Sequence, residues 1–600
     1  MPLSAQQREI DCTVEGCQAA FVPVQLSWSE GLGRPFEGAI ESVCQEPDLK
    51  PTDLLGKGVQ VRVGLDEGEF PLHGQIASFR QLECRDSLSR YQWSLTPWIG
   101  LLRHSGGSRI YQNQSVPEIF SAVADEKGFS AACQQQLSQT YPQRPYCVQY
   151  NESDFDFLHR LLEEEGIFYY FTYDDSGHHL VLCDDVNGFE AASDAGLPYF
   201  PSLKEQTEAG VAGWSLESHF TTASQVFGDY DFQQSRVDLS VRQEAEQSPR
   251  PWWWYQFPGR FFDSSRGQDL ARVRSEATVC QHQSIHLQTN VCQLNVGNQF
   301  DLDGHPDGAM EQSYAVIGSR LHVRLPELAA TTGQSSSVEW HREISVQALD
   351  LPFRPRQQTA RPTAPGTQIA TVVGPAGEEI WTDQYGRVKI KFAWDRNPDS
   401  DDTVSCWVRV AQAWTGRGWG MMSVPRVGEE VIVAFFHGDV DRPIIVGRIP
   451  NDAFMPPEKL ADGQAKTVLR TRSTPGGDAS TFHELSFDDT AGQEQIFLHS
   501  QRDFVREVKN NDALKVGFDT QDPGDQTIEV FHNQSTDVGG DISQQAGGDM
   551  KHQVGGDATI NSDGQITIQA ATGLKLVCGG STIELTPDQI TIKGTMVAIN

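Results

Sequence analysis

No run of eighteen apolar residues occurs anywhere in the 600-residue chain, so no segment has the length and apolarity of a membrane-spanning helix. The opening residues, Met1-Pro2-Leu3-Ser4-Ala5-Gln6-Gln7-Arg8-Glu9, lack both the basic start and the apolar stretch of a cleaved secretory signal. The expectation is a protein made and folded in the cytoplasm, moved by some other device if it leaves the cell. Disulfides are not expected either, because the eleven cysteines are odd in number and contain no C-x-x-C pair. Positive charge is short: 47 basic residues face 81 acidic ones, a net charge of -34 that repels phosphate backbones. Catalytic signatures are missing as well. There is no P-loop, no G-x-G-x-x-G and no G-x-S-x-G, and His483-Glu484 lacks the second histidine of H-E-x-x-H. The chain reads as non-enzymatic, with no cofactor.

What is abundant is glycine, 54 residues, together with 31 prolines, a balance that favours turns and short strands over long helices. Residues 1–365 mix alternating runs such as Val59-Gln60-Val61-Arg62-Val63 with helical segments, as at Val116 to Lys127. The clearest helix starts at Ser153, where Ser153-x-x-Asp156 has capping-box form, carries Phe157, Leu158, Leu161 and Leu162 on one face, and stops at Gly166. A proline-rich link holding Pro352, Pro355, Pro362 and Pro365 closes this region. Residues 366–450 contain about five short β-branched runs separated by turns, the pattern of a small barrel. Residues 451–484 are polar and proline-bearing and read as a neck, and 485–600 are repetitive.

In that last region Val538-Gly539-Gly540-Asp541, Ala546-Gly547-Gly548-Asp549 and Val554-Gly555-Gly556-Asp557 recur every eight residues, and a fixed period marks a solenoid. Period-2 pairs follow: Ile566 and Ile568, Leu574 and Leu576, Ile583 and Leu585, Ile590 and Ile592. Eight residues offer too few inward apolar side chains to close a core within one chain, so intertwined copies around one axis are expected to supply the rest. The expected core stripe is Val538, Ile542, Val554, Ile560, Ile566, Ile568, Leu574, Leu576, Ile583, Leu585, Ile590 and Ile592. The paired glycines suit tight corners that other residues would strain, with the following aspartate accepting backbone N–H bonds there. A single-chain β-helix and a calcium-binding solenoid compete, although the latter requires a period of nine.

The ordered series Val373-Gly374-Pro375, Asp383-Gln384-Tyr385-Gly386-Arg387, Trp394-Asp395-Arg396, Trp407-Val408-Arg409, Pro425-Arg426-Val427-Gly428-Glu429-Glu430, Gly438-Asp439 and Arg442-Pro443-Ile444-Ile445-Val446-Gly447-Arg448 is similar to the OB-fold signature of the VgrG family, the spike proteins of type VI secretion. Residues from Tyr146 to Ile167 resemble that family's hub, which is related to contractile phage tail hubs. The resemblance covers essentially the whole chain. It implies a mainly β protein with an α+β hub of phage-hub-like barrels, an OB-fold barrel and a C-terminal intertwined triple-stranded β-helix in a homotrimer. It implies further that the hub caps a tube of Hcp rings among baseplate subunits, that a PAAR-repeat cap covers the needle, and that effector or adaptor proteins ride on it into a target-cell envelope. Only about thirty-five residues lie between barrel and needle, too few for the lysozyme-like domain of some phage spikes, and with Asn600 following directly on a strand-like stretch the expectation is the unadorned form of the family, without a C-terminal toxin. The cap is expected on Thr595, Met596, Val597, Ala598, Ile599 and Asn600, where three copies would leave an apolar β-rim. The last histidine is His552, so any tip metal should belong to the cap.

Other features have blander readings. Cys280, His282, His286 and Cys292 are metal-ligand types, but as one strand from Thr278 to Leu294 they would spread over about 40 Å. Glu163, Glu164 and Glu165 point in different directions on a helix and read as a solvated helix end whose unfavourable dipole a cation could offset. Trp252-Trp253-Trp254-Tyr255 reads as interface packing, with a membrane-surface or sugar-binding cluster as the rival. Trp394, Trp407, Trp414 and Trp419 lie among cations, as in a nucleic-acid-binding OB-fold. Residues 380–448, however, hold nine basic and nine acidic residues and no basic platform. The remaining functional alternative is a phage-tail-like spike or adhesin binding envelope carbohydrate.

Overall fold

Alternation of apolar and polar residues converts directly into sheet. Val59, Val61 and Val63 are fully buried on one face of strand Gly58–Leu65, and the same period places Trp93 and Leu95 inward on Leu88–Thr96. The structure, a computed structural model, describes residues 9–65, 68–85, 88–204, 206, 208–245, 248–326, 338–399, 401, 403–517 and 523–599. They form two units divided between Asp503 and Phe504.

The first unit is built on a twelve-stranded sheet. Its main path runs Ile10–Val14, Gly58–Leu65, Gly68–Arg85, Leu88–Thr96, Arg34–Cys44, Val22–Gly31, Ser313–Arg324, Glu339–Ala348, Gln283–Thr289 and Val211–Ser218, with Asn298–Asp303 and Glu190–Pro198 attached beside Ser313–Arg324. One core gathers around Trp28, Phe36, Trp93 and Trp98, and a second around Phe168, Tyr170 and Tyr314. Helix Asp154–Glu165 covers the first with Phe155, Phe157, Leu158, Leu161 and Leu162. Ser153 Oγ accepts from the Asp156 N–H at 3.0 Å, but the Asp156 carboxylate accepts a hydrogen bond from the Ser153 hydroxyl rather than from its backbone N–H, so only half of the expected box forms. Gly166 ends the helix at φ 75°, where a Cβ would lie 2.7 Å from both Arg354 Cδ and Val273 Cγ1.

Thr278 to Leu294 departs from the single strand expected. Helix Ser264–Cys280 runs into a turn, strand Gln283–Thr289 and a second turn. The buried apolar residues Leu270, Val273 and Ala277 recur at i, i+3 and i+7, helical rather than strand spacing.

Strands Gln368–Val373, Lys389–Phe392, Arg409–Val410, Glu430–Phe435 and Pro443–Arg448 form a five-stranded sheet. A Val388–Val408 bridge joins its two edge strands and closes it into a barrel around Val372, Ile390, Phe392, Val431, Val433 and Ile445. A three-stranded antiparallel sheet, Lys466–Arg470, Glu484–Asp488 and Gln495–His499, follows and bridges the boundary expected at 484. In the second unit no strand is paired within the chain, among the described residues, until Leu574–Cys578, Ser581–Leu585 and Ile590–Lys593 form a meander. Among the described residues no helix is long and apolar enough to cross a membrane.

Two histidines are locked into the hub core. His178 Nε2 accepts the Trp98 N–H at 3.1 Å, so the proton of a neutral ring sits on Nδ1, 2.7 Å from His73 Nδ1. His159 Nε2 meets the Tyr169 hydroxyl at 2.8 Å. Burial holds both rings down to about 3, helped at His178 by His73 and at His159 by Arg103. Because the folded values lie below the unfolded one, the unfolded chain takes up protons first, and the stability these rings supply above pH 6.5 is lost on acidification. Each should cost about 1.4 kcal/mol per pH unit below about 6.5. Melting temperature is expected to fall from pH 6.5 to pH 5, less steeply for His159→Phe than for the parent.

Candidate functional site: the hub–barrel junction and the needle stripe

Three consecutive carboxylates at the end of helix Asp154–Glu165 oppose the helix dipole, and the fold answers each from a different direction. Contrary to the solvated end expected, Glu163 and Glu165 are buried. Glu163 accepts from the N–H groups of Gln358 and Thr359 at 2.9 and 3.0 Å and from Thr359 Oγ1 at 2.8 Å. Glu164 pairs with Arg144 at 3.3 Å and Arg361 at 3.1 Å, and Glu165 with Arg266 at 2.6 Å. Arg361 reaches on to Asp441 of the barrel at 2.6 Å, and Asp441 in turn accepts the Val148 N–H at 2.7 Å. Arg260 pairs with Asp439 at 2.9 Å and Arg442 with Asp229 at 2.7 Å. Burial alone would push the Glu164 carboxyl up; the guanidiniums of Arg144 and Arg361, with Arg260 and Arg160 beyond them, hold it well below the ordinary carboxylate range. Helix end, proline-rich link, the 229–260 segment and the barrel loop at Asp439–Arg442 are thereby tied in one network. The visible sequence signal was the excess of arginine in the link, Arg354, Arg356 and Arg361, opposite an acidic helix end.

The suspected metal ligands are occupied separately. The Cys280 thiol donates to the Pro352 carbonyl at 2.9 Å, His282 Nδ1 to the His219 carbonyl at 2.9 Å, and His286 Nδ1 lies 2.9 Å from Ser345 Oγ. Cys292 is buried in the hub core. No group of three or more histidine, cysteine or carboxylate side chains is placed to hold a metal among the described residues. Trp252 to Tyr255 are 52–63% exposed, Trp253–Gln256 being the edge strand beside Ser224–Phe227. In the barrel, Trp394 stacks on Phe392 and donates to Gln368 Oε1 at 2.8 Å, whereas Trp414 and Trp419 meet edge to face and stay exposed. Glu484 is held by Arg470.

On the second unit the predicted stripe is bare. Val538, Ile542, Val554, Ile560, Ile566 and Ile568 are 44–79% exposed, and Leu576, Ile583, Ile590 and Ile592 are exposed too, with Leu574 and Leu585 half-buried. The glycine argument needs correcting. Gly539, Gly540, Gly547, Gly548, Gly555 and Gly556 do not have positive φ, and a Cβ on any of them would meet nothing within 4 Å. Neither backbone strain nor crowding inside this chain calls for them, so any close approach that does must come from outside the chain. Among the described residues Asp541, Asp549 and Asp557 accept no hydrogen bond within the chain, so they do not cap corners of their own strand. Beyond the meander Met596, Val597 and Ile599 are exposed; Thr595 and Ala598 lie beside them, and Asn600 falls outside the described residues.

Removing one member of a buried ion network leaves its partners desolvated and unpaired, at about 3–5 kcal/mol. Arg361→Met is therefore expected to lower the melting temperature of the first unit and to open the link at 352–365 to proteolysis. Exposed Arg320→Met serves as the control that should leave both unchanged.

Three family descriptions match successive parts of the chain: phage tail baseplate hub (GPD) over residues 29–326, type VI secretion system/phage-baseplate injector OB domain over 378–449, and bacteriophage T4 gp5 C-terminal trimerisation domain over 467–580. The type VI secretion system spike protein VgrG1a of Pseudomonas aeruginosa is 36% identical over 587 residues, 95% of this chain and 88% of that protein. Spike protein VgrG1b of the same organism is 38% identical over 504 residues, 83% of this chain and 68% of that protein. Among solved structures, the Escherichia coli c3393 protein, a type VI secretion component similar to the T4 tail proteins gp27 and gp5, shares the fold with a TM-score of 0.53 at 21% identity, over 73% of this chain and 100% of that one. Hub, OB barrel and trimerisation segment thus follow one another here in the order of a contractile-tail spike, and the chain belongs to the VgrG family of type VI secretion system spike proteins.

Proposed function

We propose that three copies of this chain form a piercing spike that acts mechanically and catalyses nothing. Residues 1–365 make the hub, 366–450 the OB collar, 451–484 the neck and 485–600 a triple-stranded β-helix. The observation that carries this reading is the bare apolar stripe from Val538 to Ile592 on a segment whose backbone is largely unpaired within its own chain. Exposed apolar side chains and unpaired strand groups together call for strands from other copies. The network at Glu164 and Arg361 supports the same reading, because it makes hub and collar one load-bearing body.

In this reading the hub seats on a tube of Hcp rings with baseplate subunits around it, and contraction drives needle, effector or adaptor cargo and cap through a target envelope. The assembled spike begins in the cytoplasm and is secreted with its cargo. The net charge of -34 and the equal count of basic and acidic residues over 380–448 argue against a role for nucleic acid. A PAAR-repeat cap docks on Thr595 to Asn600, where Met596 and Ile599 are 88% and 87% exposed.

Light scattering on the purified protein is expected to give a trimer. Val538→Asp with Val554→Asp should shift it toward monomer by placing charge inside the stripe, and a monodisperse monomer of the parent at micromolar concentration would sink the reading. Deleting residues 595–600 is expected to leave the trimer intact and abolish capture of a PAAR-repeat protein; unchanged capture would move the docking surface elsewhere.

A further inference from the structure

The second unit contains two backbone regimes. From Phe504 to Thr572 no described residue is paired in a strand within the chain, so those N–H and C=O groups depend on water or on other chains. From Leu574 onward the chain pairs with itself. Leu574–Cys578 runs antiparallel to Ser581–Leu585, which runs antiparallel to Ile590–Lys593. Gly579, at φ 52°, opens the two-residue turn between the first two strands.

The register makes this meander two-faced. Leu574, Leu585 and Ile590 stand opposite one another in one row, and Leu576, Ile583 and Ile592 in the next. The other face carries Lys575, Val577, Thr582, Glu584, Thr591 and Lys593, polar but for the exposed Val577, with Lys575 and Glu584 paired at 4.0 Å. A one-residue slip would exchange the faces, so the apolar pattern fixes the register. Yet the apolar face is uncovered: Leu576, Ile583, Ile590 and Ile592 are 40–69% exposed. Three strands this short need a packed face to persist.

We propose that the same faces of two further copies cover it. The needle then changes construction near Gly573, from a shaft in which strands of different chains pair to a tip in which each chain forms one wall of a three-walled prism, paired only with itself and turning its six aliphatics inward. This rests on the trimer reading above. What identifies the occupant is continuity: the match to a trimerisation domain runs to residue 580, through the first strand of the meander. The outer face, where Lys575, Glu584 and Lys593 outnumber the single apolar Val577, offers no comparable apolar row.

The test uses the full chain in a Cys578→Ser background. Lys575→Cys and Glu584→Cys stand opposite each other in register, and mild oxidation followed by a non-reducing denaturing gel reports which chains they join. The expected result is a trimer by light scattering that yields a single-chain, internally bridged band. Bands of two or three chains from a trimeric protein would overturn the self-paired tip and leave the trimer standing, whereas a monomeric mass would overturn both. Hydrogen exchange supplies the second measurement. Amides of 574–593 should be protected in the trimer and lose that protection in Ile583→Asp while the trimer mass is kept; free exchange there in the parent trimer would overturn the proposal.

Discussion

Glu164 sits where segments far apart in sequence have to meet, and its two guanidinium partners decide how they do so. Arg144 comes from the loop before the hub strand at Cys147, and Arg361 from the link that leaves the hub. Arg361 then grips Asp441 in the barrel. A helix that ends in three carboxylates is locally unfavourable, and it becomes tolerable only because the link and the barrel loop are brought against it. Local cost and long-range order are therefore the same fact. Hydrophobic packing alone would hold hub and barrel together over a range of angles, whereas directional ion pairs with shared hydrogen bonds select one arrangement.

The two units solve the problem of unpaired backbone in opposite ways. The hub pairs twelve strands with one another inside the chain and buries whole rows of Val, Trp and Tyr, while the barrel closes through the Val388–Val408 bridge. The shaft of the second unit keeps its aliphatics and its backbone groups available. In a protein that had to remain single this would be an aggregation hazard. In the proposed trimer it becomes the surface on which the copies meet, which fits the match of residues 467–580 to a trimerisation domain.

The legible parts of the fold were those set by local chemistry. Ser153 and Gly166 bound their helix because one supplies an acceptor and the other a left-handed backbone, and the β-branched runs of 366–450 give the barrel because their period is two. Less legible was anything decided by tertiary context. Thr278 to Cys280 looked like strand because Thr, Val and Cys favour it, yet they finish a helix whose apolar side faces the core. Glu163 to Glu165 looked solvated because their partners lie up to 197 residues away, beyond any local pattern. The octad glycines do fall at bends, as read, but their φ values are ordinary, so strain is not what requires glycine there.

That last correction carries further than the original argument. A glycine required by its own backbone would be required in an isolated chain as much as in an assembly. A glycine with ordinary φ and open space around the missing side chain is needed, if at all, for what approaches from outside. Its recurrence every eight residues, in phase with Val538 and Val554, places that approach at regular intervals along the segment. Where the Gly-Gly-Asp period stops, after Asp557, the chain moves on to the self-paired strands beginning at Leu574. Between Asp557 and Leu574 the chain still has no strand pairing of its own, so the dependence of its backbone on groups outside the chain outlasts the glycine period and ends only where the meander begins.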